Sequence, residues 1–176
     1  MKILSLDLSY AKTGWSVINI IEGDATIISC GLITSNKDLE PNERIFDLIT
    51  QLNNIYNIYK PDYVIKEGAI MGMSSTGLNV IKTHGAYEYS LTINEIDFSD
   101  VHNATIKAWA RNYLIEHHNF SKDDVKNINK KLMVATAIEK YFNKTIPQIW
   151  TPKGKLIDDI SDSIAMTITA YHKGLL

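Results

Sequence analysis

The chain contains a single cysteine, Cys30, and none of its apolar runs approaches the length of a membrane span. One cysteine excludes an internal disulfide. It lies in the strand-like run Thr26 to Ile33, where it reads as a small buried hydrophobe suited to a reducing compartment. No basic-then-apolar leader opens the sequence, so we expect no secretion and a cytoplasmic location. Repeats, low-complexity tracts and linkers are also lacking, and 176 residues suffice for one full core, so we expect a single domain over 1–176. His84, His102, His117 and His118 have no cysteine at metal-ligand spacing and read as ordinary polar residues.

An excess of basic charge is missing too, since the net charge is −2. Its distribution says more. Residues 104–155 are basic, with 10 Lys and Arg against 4 Asp and Glu, and both flanks are acidic. A basic block beside acidic ones is a candidate phosphate-binding face next to a carboxylate site.

Three Ile- and Val-rich runs, Lys2–Leu8, Gly14–Ile21 and Thr26–Thr34, with short turns between them, predict a meander of strands. Pro41 to Lys60 then turns helical, with Ile45, Leu48, Ile49, Leu52, Ile55 and Tyr59 on one stripe. A short strand at Tyr63–Ile65 runs on to Glu67-Gly68, and "GAIMGMSSTG" reads as a loop. Helices are expected over Thr76–Thr92, Thr105–Glu116, Asp123–Phe142 and Asp158–Lys173, and a fifth strand within Glu95–Val101. Ser121 followed by Asp124 has the pattern of an N-cap. Strands first, then alternating helix and strand, predict an α/β domain with a mixed sheet.

Two of these strands end on a carboxylate at a turn, Asp7 and Glu67. The last helix, "IDDISDSIAMTITAYH", adds Asp159 and Asp162 on one face, one turn apart, with Asp158 adjacent to the first. A lone acid at a strand end is ordinarily a turn residue, and acids at a helix start are favoured by the macrodipole. Four carboxylates from three elements invite another reading. Hard divalent ions take oxygen ligands. Two of them roughly 4 Å apart can hold the attacking and leaving oxygens of a phosphodiester.

The ordered combination "LDLSYAKTGWSV", "PDYVIKEG" and "DISDSIA", over about residues 2–173, resembles the RuvC-type Holliday junction resolvases. The resemblance implies an RNase H-like fold with a mixed five-stranded sheet flanked by helices. It implies catalytic, metal-holding Asp7, Glu67, Asp159 and Asp162, with Asp158 the rival of Asp159. It further implies Mg²⁺, two ions per site with Mn²⁺ as a substitute, and a homodimer that nicks a four-way DNA junction symmetrically. The helix Thr76–Thr92 corresponds to the family's dimer helix, where Gly85 and Ala86 permit close approach. Lys107 and Lys130 or Lys131 sit near the family's DNA-binding lysines.

One departure stands out. The family carries an aromatic residue three positions after the strand-end acid, and this chain has Ile70. Ile70 and Met71, with Met73, can wedge between bases but cannot stack on them as a ring does. A compact domain with such departures suits a phage-encoded member, acting in a bacterial cell or phage-infected host. Two rival readings remain at this level. One is a junction-binding protein without cleavage. The other is a phosphate binder of the actin-like or sugar-kinase type, whose first phosphate loop "D-x-S-x-x-x-T-G" resembles. That second class needs another lobe and a Gly-rich adenosine segment, which this chain lacks.

Overall fold

The computed structural model describes residues 1–68 and 75–176. Five strands, β1 (Lys2–Asp7), β2 (Lys12–Ile21), β3 (Asp24–Thr34), β4 (Tyr63–Glu67) and β5 (Phe98–Val101), form one sheet in the order β3-β2-β1-β4-β5. The β1–β2–β3 meander is antiparallel, whereas β4 and β5 add parallel to β1. Short turns suffice for the meander, and the parallel additions require crossover helices. Those are α1 (Pro41–Tyr59) before β4 and α2 (Ser75–Ile93) before β5. The rest is α3 (Asn103–His118), α4 (Lys122–Asn127), α5 (Lys130–Tyr141), a 3₁₀ turn at Pro147–Ile149 and α6 (Asp158–His172).

The pleat sorts the two faces. Leu4, Leu6, Leu8, Val17, Ile33 and Val64 point to a core shared with Leu48 and Leu52 of α1 and Tyr87 and Leu91 of α2. Ile3, Ile18, Ile20, Ile65 and Val101 point the other way, into the larger core built with α3, α5 and α6. Ser5 lies on that second face and shares a buried 2.5 Å hydrogen bond with Thr167 of α6. Period two therefore carries Ser5 and Asp7 of β1, and Ile65 and Glu67 of β4, to the α6 side.

Most of the predicted elements are present, with two corrections. The helix expected over Asp123–Phe142 is two helices. Ile128 is extended, and the Asn129 side chain accepts from the Lys131 N–H at 2.9 Å to cap α5 afresh. An asparagine that binds backbone locally interrupts a helix and starts the next one. The fifth strand is limited to Phe98–Val101, because Asn94-Glu95 forms a turn with Glu95 at φ 54°. Ser121 caps α4 as its spacing suggests, accepting from the Asp124 N–H at 3.0 Å while Asp124 accepts from the Ser121 N–H at 2.8 Å. Cys30 is half-buried on β3, and burial pushes its thiol up to about 11. Among the described residues, no helix is long and apolar enough to cross a membrane.

Candidate active site

Asp7 ends β1 and Glu67 ends β4, and these strands are adjacent and parallel. The register pairs Leu6 with Lys66, so the two acids follow side by side on the α6 face. Their carboxyl groups share a hydrogen bond. Asp7 is pushed up to about 9, first by burial, then by that bond and by the charges of Glu67, Asp162 and Asp159.

The first turn of α6 is brought to the same place by a glycine. Gly14 of β2 lies directly opposite Asp7. A Cβ at Gly14 would collide with the backbone carbonyl of Asp159, so only glycine lets the helix start sit this close to the sheet. The i, i+3 spacing then turns Asp159 and Asp162 to a common face. Asp162 is 8% exposed, and its Oδ1 is buried with no hydrogen-bond partner among the described residues. Burial, then the charge of Asp158, pushes Asp162 up to about 7, while the Lys107 ammonium pulls it down. Asp159 is also raised, by burial and by Asp158, with Lys12 and Lys131 opposing. The structure thus brings the four sequence-predicted carboxylates into one interacting cluster. Among the described residues, no group of three or more His, Cys, Asp or Glu side chains is already arranged to hold a metal ion.

Asp158 and Asp159 are distinguished by their partners. Asp158 forms an ion pair with Lys131, one of the lysines singled out for DNA. Asp159 has no such pair among the described residues and interacts with Asp7. Lys107 on α3 faces Asp162, and Lys130 is exposed at the start of α5. Ile70 and Met71, with Met73, lie outside the described residues.

Three side chains were not picked out from the sequence. Lys12, exposed at the start of β2, acts on Asp159. Lys66, next to Glu67, is fully buried and forms ion pairs with Glu88 of α2 at 2.7 Å and Asp100 of β5 at 2.6 Å. His84, read as an ordinary polar residue, is buried on α2, its Nε2 3.1 Å from the carbonyl oxygen of Leu8. A signal for Lys66 did exist. Strand alternation in "YVIKE" puts it on the Val64 face, where a charge needs a buried partner.

A family model, described as crossover junction endodeoxyribonuclease RuvC, matches residues 3–143. A crossover junction endodeoxyribonuclease RuvC of Prochlorococcus marinus (strain NATL2A) is 24% identical over 172 residues, covering 98% of this chain and 99% of the relative. Another from strain AS9601 is 28% identical over 107 residues, 61% of this chain and 68% of the relative. Among solved structures, T. thermophilus RuvC in complex with a Holliday junction substrate superposes with a TM-score of 0.73 at 11% identity, over 99% of this chain and 96% of that one. The yeast mitochondrial Holliday junction resolvase superposes with a TM-score of 0.56 at 15% identity, over 99% and 84%. These structural likenesses establish the RNase H-like fold, with its mixed five-stranded sheet flanked by helices. With the family match spanning most of its length, this chain belongs to the RuvC family of crossover junction endodeoxyribonucleases.

Proposed function

We propose that this protein is a Mg²⁺-dependent endonuclease that resolves four-way DNA junctions as a homodimer through paired symmetric nicks. The observation that carries the reading is the convergence of Asp7, Glu67, Asp159 and Asp162 from β1, β4 and α6, in a chain of this family. The donor set fits a hard cation. All four side chains are carboxylates, burial and mutual repulsion raise Asp7, Asp159 and Asp162, and Asp162 Oδ1 has no hydrogen-bond partner among the described residues. These four residues would hold the ions, two per site, with Mg²⁺ or Mn²⁺ in the role. When bound, the ions supply charge neutralisation at the scissile phosphate and a lowered pKa for bound water.

The chain's own groups do the rest. Asp7, fixed on a strand in the sheet, would be the central ligand. Lys131 neutralises Asp158 and leaves Asp159 to face the site. Lys107, beside Asp162, and Lys130, exposed on α5, hold backbone phosphates, as ammonium groups do without reading sequence. Ile70 and Met71 remain the sequence's candidates for contact with bases at the crossover. In the reaction, water oxygen bonds to phosphorus in line with the departing 3′-oxygen, the P–O3′ bond breaks, and the ends are 5′-phosphate and 3′-hydroxyl.

The dimer reading rests on α2. Leu78, Ile81, Tyr89 and Ile93 are exposed on the side of α2 away from the sheet, at 53, 37, 68 and 60%. Gly85 lies in the same stripe, and no described residue lies within 4 Å of a Cβ built on it. A two-fold contact there would present two sites to the two like strands of a junction.

The test is Mg²⁺-dependent cleavage of a labelled immobile four-way junction, with linear duplex and Asp7→Asn protein in parallel. Paired nicks on the junction, absent with the variant and on duplex, are the expected result. Tight junction binding with no cleavage would replace this reading by a binding protein.

A further inference from the structure

The ladder between the two acid-bearing strands stops short of the acids. The last β1–β4 pair is Leu6 with Lys66, one residue before Asp7 and Glu67. Two contacts on the opposite face of the sheet reach these strand ends, and both come from α2. Glu88 meets the Lys66 ammonium at 2.7 Å, one residue before Glu67. His84 Nε2 lies 3.1 Å from the Leu8 carbonyl, one residue after Asp7. Asp100 of β5 closes on Lys66 from the other side at 2.6 Å. His84 and Glu88 are one helical turn apart, so a single helix face grips both strand ends.

Resting on the nuclease reading above, we propose that Lys66 and His84 are positioning residues. Held by α2 from the rear of the sheet, they set the spacing of Asp7 and Glu67 for metal binding. Neither touches the reacting atoms. A buried ion pair is a poor source of stability, since an apolar residue of similar volume commonly does as well in its place. Its distinguishing contribution is geometric. Lys66 is fully buried, and its two carboxylate partners are about 40% exposed, at 40 and 42%, so the lysine is fixed between anchors on two different elements. The exposed apolar stripe of α2 flanks this face, with Ile81 and Gly85 in the same row as Glu88, so the helix that grips the acids is also the one offered to a second copy.

The test compares the full-length protein with Lys66→Met, Lys66→Arg and His84→Phe. Three readouts are taken: Mn²⁺ titration by water-proton relaxation, junction affinity, and kcat at saturating junction. Lys66→Met should keep its circular dichroism spectrum, its dimer state and its junction affinity. Its Mn²⁺ midpoint and its kcat should each worsen roughly 10–100-fold, the usual effect of removing support behind a metal ligand. Lys66→Arg should recover part of both, and His84→Phe should shift the Mn²⁺ midpoint in the same direction. If Lys66→Met does not fold, the triple variant Lys66→Met/Glu88→Gln/Asp100→Asn removes every charge of the group and takes its place. A folded variant whose Mn²⁺ midpoint and kcat match wild type overturns the proposal and leaves the ion pair a structural fastening. Wild-type protein that binds no Mn²⁺ overturns the nuclease reading as well, which separates the two failures.

Discussion

Asp162→Asn should stabilise the metal-free protein while abolishing cleavage. Asp162 is held at about 7 in the folded state against an ordinary 3.8, chiefly by burial and then by Asp158. A carboxyl raised on folding contributes stability that is complete below 3.8 and is lost as pH climbs through about 7. From 3.8 to about 7 is about three pH units, and at about 1.4 kcal/mol each the loss approaches about 4 kcal/mol by pH 8. An asparagine never ionises and escapes this loss. Its amide must still be buried beside Oδ1's empty position, which costs about 2 kcal/mol. The expected net gain at pH 8 is therefore about 2 kcal/mol, or roughly 4–8 °C in Tm for a chain of this length. The assay is a series of thermal and urea melts in EDTA from pH 4.5 to 8, with wild type alongside. The gain should grow with pH, cross zero near pH 5, and turn into a loss of about 1 kcal/mol at pH 4.5. A variant less stable than wild type at pH 8, or a difference that ignores pH, would refute the reasoning.

Three further outcomes follow from the same geometry. Mg²⁺ should raise the Tm of the wild type more at pH 8 than at pH 5, because the ion competes with protons for raised carboxyls, and a pH-independent increment would contradict the cluster. Gly14→Ala should cost about 3 kcal/mol, because the new methyl meets the Asp159 backbone rather than a movable side chain, and denaturant melts would measure it. Ile81→Glu with Tyr89→Glu should give a monomer with an unchanged circular dichroism spectrum, read by light scattering. A dimer that survives both charges would place the interface elsewhere than α2.

Much of this protein was legible along the chain because its signals are local. Period two in "KILSLD" and "YVIKE" marks the strands and puts an acid at the end of each. Period 3.6 does the same for α1 and α6, and the spacing of Asp159 and Asp162 alone puts them on one helix face. Local chemistry also located the Ser121 cap. It failed at Ile128-Asn129, where apolar periodicity runs on through a break that a single asparagine side chain imposes.

The tertiary structure decided what depends on pairing across distance. That β4 lies parallel beside β1, in the register that brings Glu67 next to Asp7, follows from burial on both faces of the sheet, not from either strand's own pattern. The seat of α6 on Gly14 is a contact between residues far apart in sequence, and the glycine looks like any turn residue until the helix is placed. The assignment of Lys131 to Asp158, and of Lys66 to Glu88 and Asp100, is of the same kind. A charged side chain shows its type in the sequence, but its partner is whatever the packed elements bring within reach. The sequence by itself therefore determined the elements, the carriers of the four acids and the family they resemble. Only the folded sheet, by bringing distant strands and helices into contact, decided that those acids meet and what holds them from behind.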